Sequence, residues 1–301
     1  MTILGSSSAM PAHNRNQTAQ FVQIQNCHLL IDCGEGTQMQ LRHYGLRMPR
    51  IEYIFISHLH GDHCLGLMGL ISTLNLYGRT TPLHLYGPQG LDEIITVQLR
   101  HSHTWLRFPL QFHVVDTTRA QVILDHDNFT VESIPLIHRV PCAGFLFREK
   151  PKALNINKKK LRDTIKLAEI ALFKQGKDVY HEDGSIKYRH QDYTLPPKRT
   201  RSYAYCSDTQ VNPAMIAQIR GVELLYHEAT FTSDLAARAS HTQHSTAAQA
   251  AETARDAGVE HLLIGHFSTR YKELDGLLEE AKAVFEDTEL AIEGVCVSIP
   301  E

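Results

Sequence analysis

The loop formed by residues 57–63, with the sequence SHLHGDH, contains three histidines and an aspartate within six residues. It directly follows an apolar run at 51–56 that has the composition of a β-strand. Alternate side chains of an extended segment point the same way, so His58 and His60 are placed to bind one metal ion. The pattern therefore predicts a metal site at the end of a strand.

The second half of this loop offers two more ligands. The turn that Gly61 allows would direct Asp62 and His63 towards a second ion. Imidazole and carboxylate ligands together suit zinc, and they also bind manganese or iron. We interpret the loop as part of a two-metal site rather than as solvated histidines. The pair His101 and His103 has no neighbouring carboxylate and receives no metal role.

Two metal ions need more ligands than one loop supplies, and the ends of other strand-like runs offer them. The residues that close or follow such runs are His138, Asp208, His227, Glu228 and His266. In a layered α/β fold, sites usually form where several strand ends meet at one edge. We therefore expect these side chains to converge on the loop at 57–63.

Strand-like runs alternate with helix-like stretches through most of the chain, which favours an α/β fold built of layers. Helices are predicted at residues 65–76, 91–103, 245–256 and 272–285, and the last two strands at 261–264 and 290–297. Ser245 and Thr246 can cap the third helix, and Gly258 follows it closely. The Gly34-x-Gly36 sequence is interpreted as a turn, because it lacks the third glycine and the helix of a dinucleotide site.

The composition is that of a soluble globular protein. Of the 301 residues, 43% are hydrophobic and 21% charged, and no run of about 18 apolar residues is available to cross a membrane. The first residues lack the features of a signal peptide, so a cytoplasmic location is expected. The six cysteines are scattered and form no C-x-x-C pair, which predicts small buried side chains rather than disulfides or a zinc knuckle.

Residues 149–197 break the alternation of strands and helices and have the character of an inserted arm. The stretch 148–201 holds 15 Lys and Arg against 7 Asp and Glu, a balance of +8, whereas the rest of the chain has a balance of −11. Such a surplus favours binding of a polyanion, with a solvated surface excursion as the alternative. A helix is predicted at 161–173, after the lysines of 158–160.

Several motifs together resemble the ribonuclease Z family of the metallo-β-lactamase superfamily. They lie at Leu4–Pro11 with Arg15 and Asn16, Leu30–Thr37, Ser57–His63, Cys206–Thr209, His227–Phe231, His244–Thr246 and His266–Tyr271. The His-Glu-Ala-Thr and His-Ser-Thr elements are more specific than the ligand loop. The resemblance runs through nearly the whole chain except the arm, where 155–176 contains no proline although arms of the family commonly carry a glycine-proline element.

The resemblance implies a fold and an activity. The fold is a single α/β domain over residues 1–301, a four-layer αββα metallo-β-lactamase-like sandwich, in which the arm at 149–197 is a tRNA-binding exosite. The activity is that of a zinc-dependent endoribonuclease that removes the 3′ trailer from precursor tRNA, leaving a 3′-hydroxyl on the tRNA and a 5′-phosphate on the trailer. The resemblance also implies a homodimer in which the arm of each protomer acts on tRNA bound by its neighbour.

The resemblance also implies roles for individual residues. One zinc ion is assigned to His58, His60 and His138, the other to Asp62, His63 and His266, with Asp208 bridging and Asp32 behind the ligand loop. Asp62 is the expected proton acceptor, and His244, oriented by Glu228, is the expected general acid. His227 ranks lower, as a structural residue. The expected substrate-binding residues are Arg270, Lys158, Lys159 and Lys160.

Two alternatives remain open. The first is a superfamily hydrolase of a small phosphodiester, sulfate ester, lactam or thioester, which the basic arm and the His-Glu-Ala-Thr element disfavour. The second is a nucleic-acid-binding protein with a non-catalytic site. Such relatives normally lose ligands, and all seven candidate ligands are present in this sequence.

Overall fold

Two mixed β-sheets form the centre of the computed structural model, which describes residues 1–300. The strands of the first sheet are β1 (Thr2–Gly5), β2 (Ala19–Ile24), β3 (Cys27–Ile31), β4 (Ile51–Phe55), β5 (Leu83–Gly87) and β6 (Leu110–Val114). They lie side by side in chain order. The first three are antiparallel neighbours, and β3 to β6 run parallel, so their carboxyl ends lie at one edge.

The second sheet is built mainly from the second half of the chain. The remaining strands are β7 (Gln121–Asp125), β8 (Phe129–Pro135), β9 (Ala143–Glu149), β10 (Asn155–Ile156), β11 (Val179–Tyr180), β12 (Ile186–Tyr188), β13 (Thr194–Leu195), β14 (Ser202–Cys206), β15 (Leu224–Glu228), β16 (His261–Gly265) and β17 (Thr288–Leu290). The sheet has the order β17-β16-β15-β14-β9-β8-β7, whereas β10 pairs with β13 and β11 with β12. Strands β14 to β17 are parallel, so residues that follow them share an edge.

The helices are α1 (Thr37–His43), α2 (Gly61–Cys64), α3 (Leu67–Leu76), α4 (Leu91–His101), α5 (Leu167–Lys174), α6 (His190–Tyr193), α7 (Pro213–Gln218), α8 (Ala236–Thr242), α9 (Ala247–Ala257) and α10 (Asp275–Lys282), with short 3-10 turns at Met48–Arg50 and Ser233–Leu235. Apolar residues of α1, α3 and α4 pack on the first sheet, and those of α7, α9 and α10 pack on the second. A third cluster lies between the sheets, where the rings of Phe55 and Phe145 are 5.3 Å apart. The predicted four-layer sandwich is confirmed.

Residues 148–201, together with Pro300, form a compact unit separate from the unit of 1–147 and 202–299. The stretch interpreted as an arm, 149–197, falls within it. The unit has a small core of Ile165, Phe173, Val179 and Tyr193. Its first and last residues are joined where Glu149 forms ion pairs with Arg201 at 2.6 Å and Lys152 at 2.9 Å.

Several predicted elements differ from those in the structure. The arm helix begins at Leu167 rather than 161, because turns occupy the preceding residues and the helix starts where the Glu169 carboxylate accepts from the N–H of Lys166 at 2.7 Å. A strand was predicted at 290–297, but the last strand of the structure is Thr288–Leu290. A turn with Gly294 at φ 81° follows it. The last helix begins at Asp275 instead of 272.

Smaller predictions had mixed outcomes. The Gly34-x-Gly36 sequence forms the predicted turn, although helix α1 follows it directly. Cys296 is exposed, which was not predicted, whereas the other five cysteines are buried as predicted. Of the two N-cap candidates for α9, Thr246 holds the position in a capping box with Gln249, and Gly258 ends the helix in the left-handed conformation as predicted. Within residues 1–300, no helix combines the length and the apolarity that crossing a bilayer requires.

Candidate metal centre

The loop after β4 meets the ends of β8, β14 and β16 at one edge of the sandwich. Gly61 does not make the predicted turn. Instead it begins the short helix α2, for which His60 is the N-cap, and this helix carries Asp62 and His63. One turn of helix thus presents the second pair of predicted ligands.

The first group of possible ligands consists of His58, His60, His138 and Asp208, whose ligand atoms all lie within 4.8 Å of one another. Nδ1 of His60 is 3.0 Å from Nε2 of His58 and 3.3 Å from Nε2 of His138. Oδ2 of Asp208 is 3.5 Å from Nε2 of His58. The group brings together residues that are up to 150 positions apart in the chain.

The second group consists of Asp62, His63 and His266. Oδ2 of Asp62 is 3.5 Å from Nε2 of His63 and 3.5 Å from Nε2 of His266. The other oxygen of Asp208, Oδ1, lies 3.4 Å from His63 Nε2 and 3.2 Å from His266 Nε2. Asp208 therefore presents one carboxylate oxygen to each group, and the structure brings all seven predicted ligands together.

Two buried nitrogens test whether this donor set fits a metal. Nε2 of His63 and Nε2 of His266 are both buried without a hydrogen-bond partner within residues 1–300. The other ring nitrogen of His63 lies 2.8 Å from Asp32, and that of His266 lies 3.0 Å from the Thr230 hydroxyl. Metal-binding histidines usually donate their second N–H in this way, and an unpartnered buried nitrogen is costly. The residues fit a divalent cation.

The electrostatics of the two groups differ. Burial opposes a charge on His63, but the carboxylates of Asp208, Asp62 and Asp32 outweigh it and raise the pKa of His63 well above its ordinary value. Burial, together with the nearby charge of His63, holds the pKa of His58 well below its ordinary value. The carboxylates thus attract positive charge to the second group, while the first offers neutral imidazole, the form that binds metals.

His244 and Glu228 form a second functional pair beside these ligands. Nδ1 of His244 lies 2.9 Å from Oε1 of the fully buried Glu228. Burial disfavours the charged imidazole, but the charge of Glu228 and its hydrogen bond prevail and raise the pKa of His244 to about 9. The His244 ring is 5.2 Å from that of His138 and 5.4 Å from that of His266, so a protonated imidazole borders both groups.

Glu228 is held in place by backbone and hydroxyl donors. Its carboxylate accepts from the N–H of Ser245 at 2.9 Å and from the N–H and the hydroxyl of Thr230 at 2.9 and 2.7 Å. His227 is also buried, and its Nδ1 lies 2.7 Å from the carbonyl oxygen of Glu228. This contact suits a structural role, which the sequence left open for His227.

A cavity of about 370 Å³ opens beside His244. Arg139, Arg238 and Arg270 line it, together with several hydroxyl side chains, and no carboxylate within residues 1–300 contributes to its lining. The Arg270 guanidinium lies over the ring of Phe231, 5.6 Å from its centre. Of these three arginines, only Arg270 was predicted from the sequence, and Arg139 carries a signal in that it directly follows the predicted ligand His138. The exposed lysines at 158–160 belong to the other unit.

Comparisons with known proteins place this site in context. Residues 1–159 match the family model for Anti-Pycsar protein Apyc1, and residues 143–267 match that for the Beta-lactamase superfamily domain. Ribonuclease Z of Cytophaga hutchinsonii is 52% identical over 97% of this chain and 93% of its own, and Ribonuclease Z of Bacteroides fragilis is 46% identical over 99% and 98%.

Solved structures are similar over the same length. The crystal structure of the short form of human tRNase Z covers 100% of this chain and 99% of its own, with a TM-score of 0.72 and 26% identity. The metallo-β-lactamase fold protein YhfI of Bacillus subtilis covers 97% of this chain and 95% of its own, with a TM-score of 0.66 and 20% identity. The second likeness concerns the fold alone.

Proposed function

The chain belongs to the ribonuclease Z family, and we propose that its activity, endonucleolytic removal of 3′ trailers from precursor tRNA, takes place at two zinc ions held by the seven side chains described above. The observation that carries this proposal is Asp208, whose two oxygens face two separate ligand groups. Two such ions, when bound, bring the pKa of water towards neutrality and stabilise charge on the attacking and leaving oxygens.

Asp62 is proposed as the proton acceptor. Burial alone would raise its pKa, but the charges of His63 and His266, whose Nε2 atoms lie 3.5 Å from Oδ2, hold the pKa of this carboxyl far below its ordinary value. Asp62 is therefore ionised at neutral pH. It belongs to the second ligand group alone, so we assign to it the proton of an attacking water.

His244 is proposed as the general acid that protonates the leaving 3′ oxygen of the tRNA. The imidazole is protonated at neutral pH, because its pKa is about 9, and Glu228 fixes its orientation. Arg270, in the wall of the adjoining cavity, is proposed to bind a substrate phosphate through its guanidinium. Attack of water on the phosphorus would break its bond to the 3′ oxygen, and that oxygen would take the proton of His244. The cut would leave a 3′-hydroxyl on the tRNA and a 5′-phosphate on the trailer.

Cleavage of a 3′-extended precursor tRNA, combined with elemental analysis of the reconstituted enzyme, tests the whole proposal. We expect two zinc ions per chain and a cut that yields these two ends. One ion or none after careful reconstitution would contradict the two-metal centre. An enzyme that hydrolysed small phosphodiesters but left precursor tRNA intact would favour the alternative hydrolase.

We propose that the basic arm binds the body of the tRNA without taking part in the chemistry. Its lysines at 158–160 are exposed, and their side chains are free to pair with phosphates. Each such contact releases counterions, so replacing all three by alanine should weaken tRNA binding and lower the slope of log affinity against log salt by up to about 3. Lys282→Ala, an exposed lysine on α10, is the matched control and should leave the slope within error of the parent.

Excision of the arm tip separates binding from chemistry. The N–H of Leu154 donates to the carbonyl of Lys174 at 3.0 Å, so a short Gly/Ser linker can replace residues 154–177. The shortened enzyme should lose most of its cleavage of precursor tRNA while it keeps its hydrolysis of a small chromogenic phosphodiester. Unchanged cleavage of precursor tRNA would make the arm a surface excursion and move recognition to Arg15, Asn16 and Arg270.

A homodimer is also proposed. Leu76 and Trp105 are about 85% exposed, and Tyr77 is 57% exposed. Asn75 joins their segments, since its side chain bonds to the carbonyl of Trp105 at 3.1 Å and to the N–H of Arg107 at 2.8 Å. Contiguous exposed apolar side chains commonly mark an interface between protein chains. Sedimentation of the parent should give the mass of two chains, and Trp105→Lys should shift it towards one; a monomeric parent would exclude the homodimer.

The cytoplasm is the proposed location. Precursor tRNA of a bacterium is made there, and five free, buried cysteines suit a reducing compartment. Fractionation of cells that express the protein should recover it with the cytoplasmic enzymes, and recovery from the medium or the envelope would contradict this.

A further inference from the structure

The loop that joins β1 to β2 brings a backbone amide to the metal centre. The N–H of Ala9 donates to Oδ2 of Asp62 at 2.8 Å. The same oxygen lies 3.5 Å from Nε2 of His63 and 3.5 Å from Nε2 of His266. The amide therefore contacts the carboxylate oxygen that faces the other ligands of the second group.

Ala9 does not hold this position through its own side chain. Its methyl group is exposed, and its backbone has a φ of 59°, a left-handed conformation that residues other than glycine adopt uncommonly. An unsupported alanine peptide would relax from this conformation. Another residue has to keep the N–H directed at Asp62.

Gln17 provides that support. Its side chain is almost entirely buried, and both ends of its amide are used: Nε2 donates to the carbonyl of Ala9 at 3.1 Å, and Oε1 accepts from the N–H of Glu35 at 2.7 Å. A Cβ atom at Gly34 would lie 2.5 Å from the Cβ of Gln17 and 2.4 Å from the carbonyl of Asp62. The loops that contain Ala9, Gly34 and Asp62 are thus packed against one another around Gln17, whose side chain has one available orientation.

We propose that Gln17 is a positioning residue for Asp62, acting through the Ala9 peptide. By fixing the Ala9 carbonyl, Gln17 directs the Ala9 N–H at Oδ2 and sets the plane of the Asp62 carboxylate, so that this oxygen stays turned to the second ligand group. The inference rests on the proposed function of Asp62. Gln17 contacts no substrate, because its side chain is buried behind the loop.

Gln17→Met, which keeps the size of the side chain and removes both hydrogen bonds, tests this role. With a small chromogenic phosphodiester, kcat per loaded centre should fall about 10- to 100-fold, the usual effect of removing a residue that orients a metal ligand. KM for precursor tRNA should stay within about twofold of the parent. The visible absorption of the Co²⁺-loaded variant should also change, because the geometry of Asp62 changes.

Two further variants isolate the individual bonds. Gln17→Glu keeps the acceptor for Glu35 and loses the donor to Ala9, so it should reproduce most of the fall in kcat. Gln23→Met is the matched control, since Gln23 also donates to a backbone carbonyl, that of Gln25 at 2.9 Å, but on the exposed end of β2. This control should match the parent in kcat and in cobalt spectrum. A Gln17→Met enzyme that matched the parent in both would overturn the proposal.

An ester in place of the Ala9 amide tests the bond directly, and it decides the matter if the Gln17 variants do not fold. Synthetic residues 1–26 carrying L-lactic acid at position 9 can be ligated to a fragment that begins at Cys27, with the all-amide ligation product as control. The ester lacks only the N–H, so the same fall in kcat and the same spectral change are expected. An ester enzyme with the same kcat and the same cobalt spectrum as the all-amide control would contradict the proposal. A parent that binds Co²⁺ and cleaves the chromogenic diester but spares precursor tRNA would contradict the proposed substrate alone.

Discussion

Asp208→Ala is expected to empty both halves of the metal centre and to reduce cleavage of precursor tRNA to background. Oδ2 of Asp208 faces His58, and Oδ1 faces His63 and His266, so this one substitution removes a ligand from each group. His138→Ala removes a ligand from the first group only. Elemental analysis should therefore find nearly no zinc in the first variant and about one ion per chain in the second.

A histidine outside the centre provides the control for these two variants. His261 lies at the start of β16, where it pairs with Asp287 at 2.6 Å. His261→Ala should keep both zinc ions and the activity of the parent. If Asp208→Ala retained one firmly bound ion, the carboxylate would belong to a single group, and the two-metal reading of the site would have to be replaced by a one-metal site with a neighbouring carboxylate.

The ligand loop could be predicted because its information is local. Two histidines spaced by one residue in an extended segment have to point the same way, and His58 and His60 do so. The convergence of Asp208 and His266 followed from the parallel strands β14 to β16, whose ends share an edge, and His138 follows β8 of the same sheet. Each oxygen of the Asp208 carboxylate faces a different ligand group because of how those strand ends are arranged in space. The spacing of residues in the sequence does not predict that arrangement.

Other features depend on packing between distant segments. Strand β9 was not predicted, and its Gly144 is required because a Cβ there would lie 2.4 Å from the carbonyl of Tyr205 in the neighbouring strand. Likewise, the Ala9 amide contacts Asp62, which is 53 positions away in the chain. An alanine and an aspartate at these positions do not predict such a contact. Composition and periodicity predict whether a segment forms a helix or a strand. These contacts depend instead on how distant segments pack against one another.

His244→Ala is expected to lower kcat for precursor tRNA by about 10²- to 10⁴-fold while both zinc ions stay bound, since His244 is not one of the seven predicted ligands and general acid catalysis has this usual reach. His244 also forms a possible ligand group with Asp208 and His266, which makes the choice of substrate decisive. The effect should depend on the leaving group. A ribose 3′ oxygen is a poor leaving group without a proton, whereas p-nitrophenolate leaves readily as the anion. Hydrolysis of bis(p-nitrophenyl) phosphate should therefore be nearly unaffected, and an equal loss with both substrates would assign His244 to the metal centre instead.

The Glu228→Gln variant tests the role of His244 as the general acid through the pH dependence of kcat. The acid has to be protonated, and the charge of Glu228 raises the pKa of His244 to about 9 against the effect of burial, so kcat of the parent should fall as pH rises through the pKa of this imidazole. Glutamine keeps an acceptor for the His244 N–H but removes the charge, so the alkaline limb of the kcat profile should move to lower pH. His244→Ala should lack that limb altogether. A limb that stayed in place in Glu228→Gln would mean that the titrating group is not an imidazole governed by Glu228, and His244 would lose its role as the general acid.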